Sequence, residues 1–247
     1  MSLAAAAFVL LAALITAAVS GVLGMAGGLL LMGALLLVLP ATVAFVVHGL
    51  LQLVSNGWRA FLQRRHLHWA VVGWYSLGAA AAAGLVAGVA YAPAKPLTYL
   101  LLGLVPGLVW LPRGRLALDA SRPPHAVAAG FSVTALNLVA GVAGPLLDVF
   151  FVRTGLNRHA VVATKAGTQV LSHAAKVVVY GGLLGSGGGV PYAVVLAAVP
   201  LSMLGTWLGG RLLDRISDAS FTAATRWVVT AIGAAYLVQA ARLSLAG

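Results

Sequence analysis

The chain has 247 residues, of which 62% are hydrophobic and 8% are charged, whereas a soluble domain carries about 25% charged side chains. This composition excludes a soluble globular protein and predicts an integral membrane protein whose main solvent is the lipid bilayer. The net charge of +11 comes from short clusters between apolar runs, which argues against nucleic-acid binding. The absence of cysteine excludes disulfides and zinc–thiolate sites. We expect no metal and no cofactor.

Apolar segments separated by charges, glycine and proline predict an all-α polytopic membrane protein. In chain order they lie near 3–22, 25–40, 41–63, 68–91, 96–111, 124–140, 144–156, 159–184, 190–210 and 220–243. A helix that spans the hydrocarbon core needs about 17–25 residues, and the second and seventh segments are short. Each follows a glycine-rich break, at 24–28 and 141–145, so we predict short or re-entrant helices there.

The sequence repeats itself at an offset of 141 − 24 = 117 residues. Small and apolar positions recur as the pairs Gly24/Gly141, Ala26/Ala143, Gly27/Gly144, Leu29/Leu146 and Leu30/Leu147. Polar positions recur as the pairs His48/Lys165, Gln52/Gln169, Ser55/Ser172, Asn56/His173 and Arg59/Lys176. Because each half holds an odd number of segments, two copies must be oppositely oriented. We therefore predict two inverted-topology repeats of about five segments each, at 1–111 and 124–247, joined by a cytoplasmic linker at 112–123.

Basic residues divide unequally between the two sets of loops. If the loop at Arg64 and Arg65 is cytoplasmic, alternation of the spans leaves Lys95 and Arg242 on the opposite side. The residues on the side of the Arg64 loop are Arg64, Arg65, Arg113, Arg115, Arg122, Arg153, Arg158, Arg211 and Arg215. This excess predicts that the basic loops are cytoplasmic and that both termini lie outside.

Two polar stripes are candidates for a binding site. They are His48, Gln52, Ser55 and Arg59, spaced by 4, 3 and 4 residues on one helical face, and Lys165, Gln169, Ser172 and Lys176 with the same spacing, flanked by Asn56 and His173. A Lys or Arg deep in hydrocarbon costs about 2.5–3.5 kcal/mol, so these side chains are expected to face a water-filled cavity. The alternative for Arg59 and Lys176 is snorkelling to the headgroups.

The glycine breaks are the second candidate, through Gly24, Gly27, Gly28, Gly141 and Gly144. Glycine lets the backbone leave helical geometry, and a helix that starts after such a break presents N–H groups suited to an anion. Close helix packing is the alternative reading.

Asp148 is the one acidic residue of the sequence that falls within an apolar segment. It is expected either to form a structural ion pair with Lys165 or to relay protons. An interior rich in Lys, Arg, His and amides suits an anion better than a cation, which predicts an anion transporter with its site near the midplane. A passive anion channel and a non-transporting scaffold protein are the alternatives, and no catalytic motif points to an enzyme.

Several of these features resemble the TauE/SafE family, which belongs to the sulfite and organosulfonate transporter superfamily of bacteria. The resemblance lies in the paired glycine breaks, in the stretches Ala163-Thr164-Lys165-Ala166 and Ser172-His173-Ala174-Ala175-Lys176, and in the basic loop 64–68 before Trp69. It implies a carrier of the bacterial inner membrane, often an exporter, for sulfite or a small organosulfonate, and leaves a homodimer open. The family's GxGGG pattern is altered, because Ala26 and Ala143 replace its middle glycine.

Overall fold

A computed structural model describes residues 1–23, 25–110, 118–184, 189–213 and 218–245. Within these ranges the chain forms α-helices and 3-10 turns and no strand. The helices are α1 (Leu3–Leu23), α2 (Met25–Val38), α3 (Ala41–Leu62), α4 (Trp69–Gly88), α5 (Lys95–Leu104), α6 (Pro123–Ala140), α7 (Gly144–Phe151), α8 (Arg158–Leu184), α9 (Tyr192–Leu213) and α10 (Asp218–Leu245). Gly24, Arg113, Arg115, Arg215 and most of the neutral loop 185–189 carry sequence predictions and lie outside the described residues, as does the first part of the linker 112–123.

Four of the described helices are long and apolar enough to cross a bilayer: α1, α4, α9 and the Thr225–Leu245 part of α10. The prediction of an all-helical polytopic membrane protein is confirmed. The 14 residues of α2 and the 8 residues of α7 rise about 21 and 12 Å at about 1.5 Å per residue, less than the roughly 30 Å of the hydrocarbon core. The segments after the breaks are therefore short, and their re-entrance stays a prediction.

Two predicted segments end earlier than expected. The fifth leaves α-helical geometry at Leu104 and continues as a 3-10 helix, Val105–Trp110, because Pro106 has no N–H to donate to the preceding turn. The seventh ends at Phe151, whose carbonyl accepts a hydrogen bond of 2.9 Å from the Thr154 hydroxyl. That bond satisfies a backbone group that the end of a helix leaves without a partner.

Small residues allow the closest helix crossings. In the α1–α9 crossing a Cβ atom on Gly21 would lie 2.6 Å from Gly209 Cα, and in the α4–α6 crossing one on Gly130 would lie 2.9 Å from the Tyr75 carbonyl carbon. The other extensive pairings are α3 with α8 and α5 with α10. If each of the first five helices is matched with the helix five places later, the α1–α9 pair corresponds to the α6–α4 pair. The α3–α8 and α5–α10 pairs each correspond to themselves. The packing agrees with two related halves, while their opposite orientation in a bilayer stays a prediction.

The central helices α3 and α8 run antiparallel. The backbone N–H of His68, in the loop between α3 and α4, donates to Thr164 Oγ1 in the first half of α8 at 3.0 Å. Gly49, in the first half of α3, packs on Val177 in the second half of α8. The imidazole rings of His66 and His159 lie 5.3 Å apart between centroids. The basic loops after α3 and before α8 therefore meet at one end of the bundle.

Candidate functional site

The two polar stripes face each other along the α3–α8 pair at the centre of the molecule. His48 and Lys176 have no exposed surface, and Gln52 is 5% exposed. Because α3 and α8 are antiparallel, Arg59 and Lys165 lie toward the basic end, whereas His48 and Lys176 lie deeper. Snorkelling is therefore excluded for Lys176 in this conformation.

Three cavities that share lining residues lead from the basic end to this centre. The outer cavity, of about 200 Å³, is lined by Arg59, Gln63 and Arg211 among others. The middle cavity, of about 90 Å³, also touches Arg59, and it shares Gln169 with an inner cavity of about 30 Å³. The three cavities therefore lie in a row, and their volumes decrease from the basic end inward.

The middle cavity combines two cationic groups with one carboxylate. Arg59 Nη2 donates to Ser20 Oγ at 3.4 Å, and Lys165 Nζ forms an ion pair with Asp148. The amide of Gln169 lies on the same wall. The middle cavity, at about 90 Å³, is several times larger than the roughly 10–15 Å³ that one water molecule needs, so it has room for a small anion. The surplus of positive charge favours an anion.

The inner cavity is polar and narrow. Asn56 Nδ2 donates to Gln52 Oε1 at 3.0 Å, and the rings of His48 and His173 lie 5.4 Å apart between centroids. Its volume of about 30 Å³ admits about two water molecules. The middle cavity, at about 90 Å³, is therefore the larger of the two polar chambers around Gln169.

A chain of hydrogen bonds beside the inner cavity joins the two glycine breaks. His48 Nε2 lies 3.0 Å from the Gly28 carbonyl, Lys176 Nζ lies 3.2 Å from His48 Nδ1, and Lys176 Nζ donates to the Gly141 carbonyl at 2.5 Å. Because a carbonyl only accepts, Nε2 of His48 carries the hydrogen and Nδ1 accepts from Lys176. We call this chain the Lys176 bridge.

Gly141 has a local reason to be glycine. It ends α6 in the left-handed region, with φ of 89°, and its N–H donates to the Asn137 carbonyl at 3.1 Å. A residue with a Cβ atom is penalised in that conformation. This turn leaves the Gly141 carbonyl free to accept from Lys176.

Several predicted site residues lie away from the three cavities in this conformation. Ser55 Oγ is 2.8 Å from Thr206 Oγ1 on α9, and Ser172 Oγ is 2.6 Å from the Tyr75 hydroxyl on α4. Gly27 packs against the Thr16 carbonyl of α1, as the packing alternative predicted. A role in substrate binding for these residues stays a prediction.

Two residues of the site were missed by the sequence reasoning. Ser20 lines the middle and inner cavities, and Asn137 Nδ2 donates to the Ser172 carbonyl at 3.2 Å, next to His173. A signal for both was present in the repeat, because 137 − 20 = 117, the offset that relates the two stripes. Ser20 accepts a hydrogen bond from Arg59 of the α3 stripe, and Asn137 donates one to the Ser172 carbonyl of the α8 stripe.

The comparisons with known proteins give one match. A family model described as "Sulfite exporter TauE/SafE" matches residues 9–236, nearly the whole chain. No curated protein and no solved structure matches. The match covers both stripes, both glycine breaks and all three cavities, and it confirms the resemblance seen in the sequence.

Proposed function

Since the chain belongs to the TauE/SafE sulfite exporter family of membrane transporters, we propose that it carries sulfite or a related small sulfur-containing oxyanion by alternating access. The proposed site is the middle cavity between Arg59, Lys165 and Gln169. Sulfite presents three oxygens and a negative charge, which match a guanidinium, an ammonium and an amide N–H on one wall.

The observation that carries this proposal is a row of cavities whose volumes decrease from the basic end toward the Lys176 bridge. We take this row to be a substrate path that is open at the basic end and closed at the bridge. The outer cavity opens near Gln63 and Arg211, at the end where the basic loops meet. The Lys176 bridge lies at the inner end and ties one glycine break to the other. A carrier needs such an asymmetric path, because a continuous opening would conduct passively.

The sequence repeat supports a second conformation of the carrier, in which the inner end opens and the basic end closes. Arg59 and Lys176 are equivalent by the offset of 117, and each contacts the end of a helix before a glycine break: Ser20 for Arg59 and Gly141 for Lys176. In the opposite state we expect the contacts of Arg59 to tighten and the Lys176 bridge to open. On the positive-inside rule we propose that the outer cavity faces the cytoplasm.

Proteoliposomes test this function. We expect purified protein to move sulfite down an imposed gradient above empty vesicles, with flux that saturates and with exchange of labelled sulfite faster than net flux. Chloride, taurine and a small sulfonate in the same assay define selectivity. Currents that follow the ion gradient at channel rates would show a passive channel, and absence of flux for every anion would contradict transport.

The Arg59→Gln variant tests whether Arg59 contacts the substrate or affects transport only through its charge. The loss of one charge-assisted contact of about 1.5–3 kcal/mol raises the KM for sulfite by about 10-fold or more. Arg64→Gln is the matched control, because Arg64 carries the same charge five residues away, is exposed and donates to the Phe61 carbonyl. Equal KM values for the two variants would remove Arg59 from the site.

A further inference from the structure

The middle cavity already contains an anionic group bound to its lysine. The Asp148 carboxylate pairs with Lys165 Nζ, and both side chains retain 27% of their exposure on the cavity wall. Asp148 is the one carboxylate among the residues that line the three cavities described above. It stands where an incoming oxyanion would meet Lys165.

The ion pair is poorly suited to a purely structural task. Partly exposed ion pairs contribute about 0–1 kcal/mol to stability. The helix that carries Asp148 has other attachments: Phe150 accepts a hydrogen bond of 2.9 Å from the N–H of Ala120, and Leu147 is fully buried. The position of the pair therefore calls for an explanation in the function of the cavity.

Resting on the proposed function, we infer that the Asp148 carboxylate is an internal counter-anion that holds the substrate's place on Lys165 and leaves it when the anion binds. A carboxylate and a sulfite ion both present oxygens that share negative charge, so they compete for the same ammonium. Two anions in contact repel, so an anion that binds Lys165 weakens the contact between Lys165 and Asp148.

This exchange assigns a task to Asp148 in the empty carrier. After an alternating-access carrier releases its substrate, the empty binding site must again become accessible from the side on which the substrate binds. A bare ammonium is costly in that environment, and Asp148 neutralises Lys165 during the return. The substrate neutralises Lys165 during the loaded step, so only the empty step depends on Asp148.

Asp148→Asn keeps the shape of the side chain and removes its charge. We expect sulfite, or sulfate used as a probe, to bind the detergent-solubilised variant about 10-fold tighter, the change that corresponds to about 1.4 kcal/mol. Exchange of labelled sulfite across proteoliposomes should persist, whereas net sulfite efflux should fall by about 10-fold or more, since the empty return is slowed.

Asp119→Asn is the matched control, because it removes the same charge from a loop. Partial burial raises the pKa of the Asp119 carboxyl, but hydrogen bonds from Ser121 and the charge of Arg122 outweigh it and hold that pKa below its ordinary value, so a charge is lost here too. We expect binding, exchange and net flux of this control to match the wild type.

The outcomes distinguish this inference from the proposed function. Absence of sulfite flux in the wild type overturns the proposed function, while tighter sulfate binding to Asp148→Asn would still support the counter-anion. Weaker or unchanged binding of both probes to Asp148→Asn, or equal loss of exchange and net flux, overturns the inference. If Asp148→Asn does not fold, the Asp148→Asn/Lys165→Gln double variant decides through the ratio of its net flux to its exchange rate, since neither charge of the pair is left. A ratio equal to that of the wild type supports the inference. A ratio far below that of the wild type overturns it.

Discussion

Gly78 on α4 is a position where one added methyl group should disturb the helix packing around the site. A Cβ atom at this position would lie 2.6 Å from Phe131 N and against the Val127 carbonyl of α6. Real Cβ contacts essentially never fall below 3.0 Å, and both neighbours are backbone atoms that cannot rotate away. In Gly78→Ala the two helices must therefore separate by at least several tenths of an ångström, which typically costs about 1–3 kcal/mol.

Thermal unfolding in detergent measures this cost, with Gly84→Ala as the control on the same helix. Nothing lies within 4 Å of a Cβ atom added at Gly84, and alanine improves helix propensity by up to about 1 kcal/mol. We expect a lower Tm for Gly78→Ala and an equal or higher Tm for Gly84→Ala. Tyr75, one turn before Gly78, bonds to Ser172, so sulfite flux should fall with Gly78→Ala. Equal Tm values would refute the close crossing of α4 and α6.

Two further predictions concern the path and the break. Because the chain has no cysteine, Gln169→Cys gives a single thiol, at a position that lines the middle and inner cavities. A membrane-impermeant maleimide should modify this thiol from the side of the basic loops, and sulfite should slow the reaction. Equal labelling from both sides would contradict a path closed at its inner end. Gly141→Ala should lower the free energy of unfolding by about 1–2 kcal/mol because the residue has a φ of 89°, and its new Cβ atom would lie 2.9 Å from Met32 Cε. Gly181→Ala is the control, because nothing lies within 4 Å of a Cβ atom added there. Equal Tm values of the two variants in detergent would contradict the strained position.

The helical character, the membrane environment and the family could all be read from the sequence. Apolar runs of spanning length have one stable solution in lipid, because a helix satisfies every backbone hydrogen bond within its own segment. The spacing of His48, Gln52 and Arg59 also predicts one shared helical face, and their burial or cavity contact agrees with it. Local periodicity carries this information because it depends on neighbours three or four residues apart.

The partners of that face were decided by the tertiary structure. Ser55 and Ser172 have the same spacing in the stripes as the glutamines, yet they bond to Thr206 and Tyr75, which lie 151 and 97 residues away along the chain. No local pattern encodes a contact at such a separation. The contact between the Asp148 carboxylate and Lys165 likewise came only from the fold, while the choice between a structural ion pair and a proton relay stays a prediction.

The amino-acid pattern alone therefore shows which residues avoid lipid. The antiparallel packing of α3 on α8 alone decided that Arg59 shares a cavity with Lys165, whereas Lys176 reaches His48. The physical reason is that burial follows from the chemistry of each segment, while the meeting of two side chains depends on the direction and crossing of whole helices.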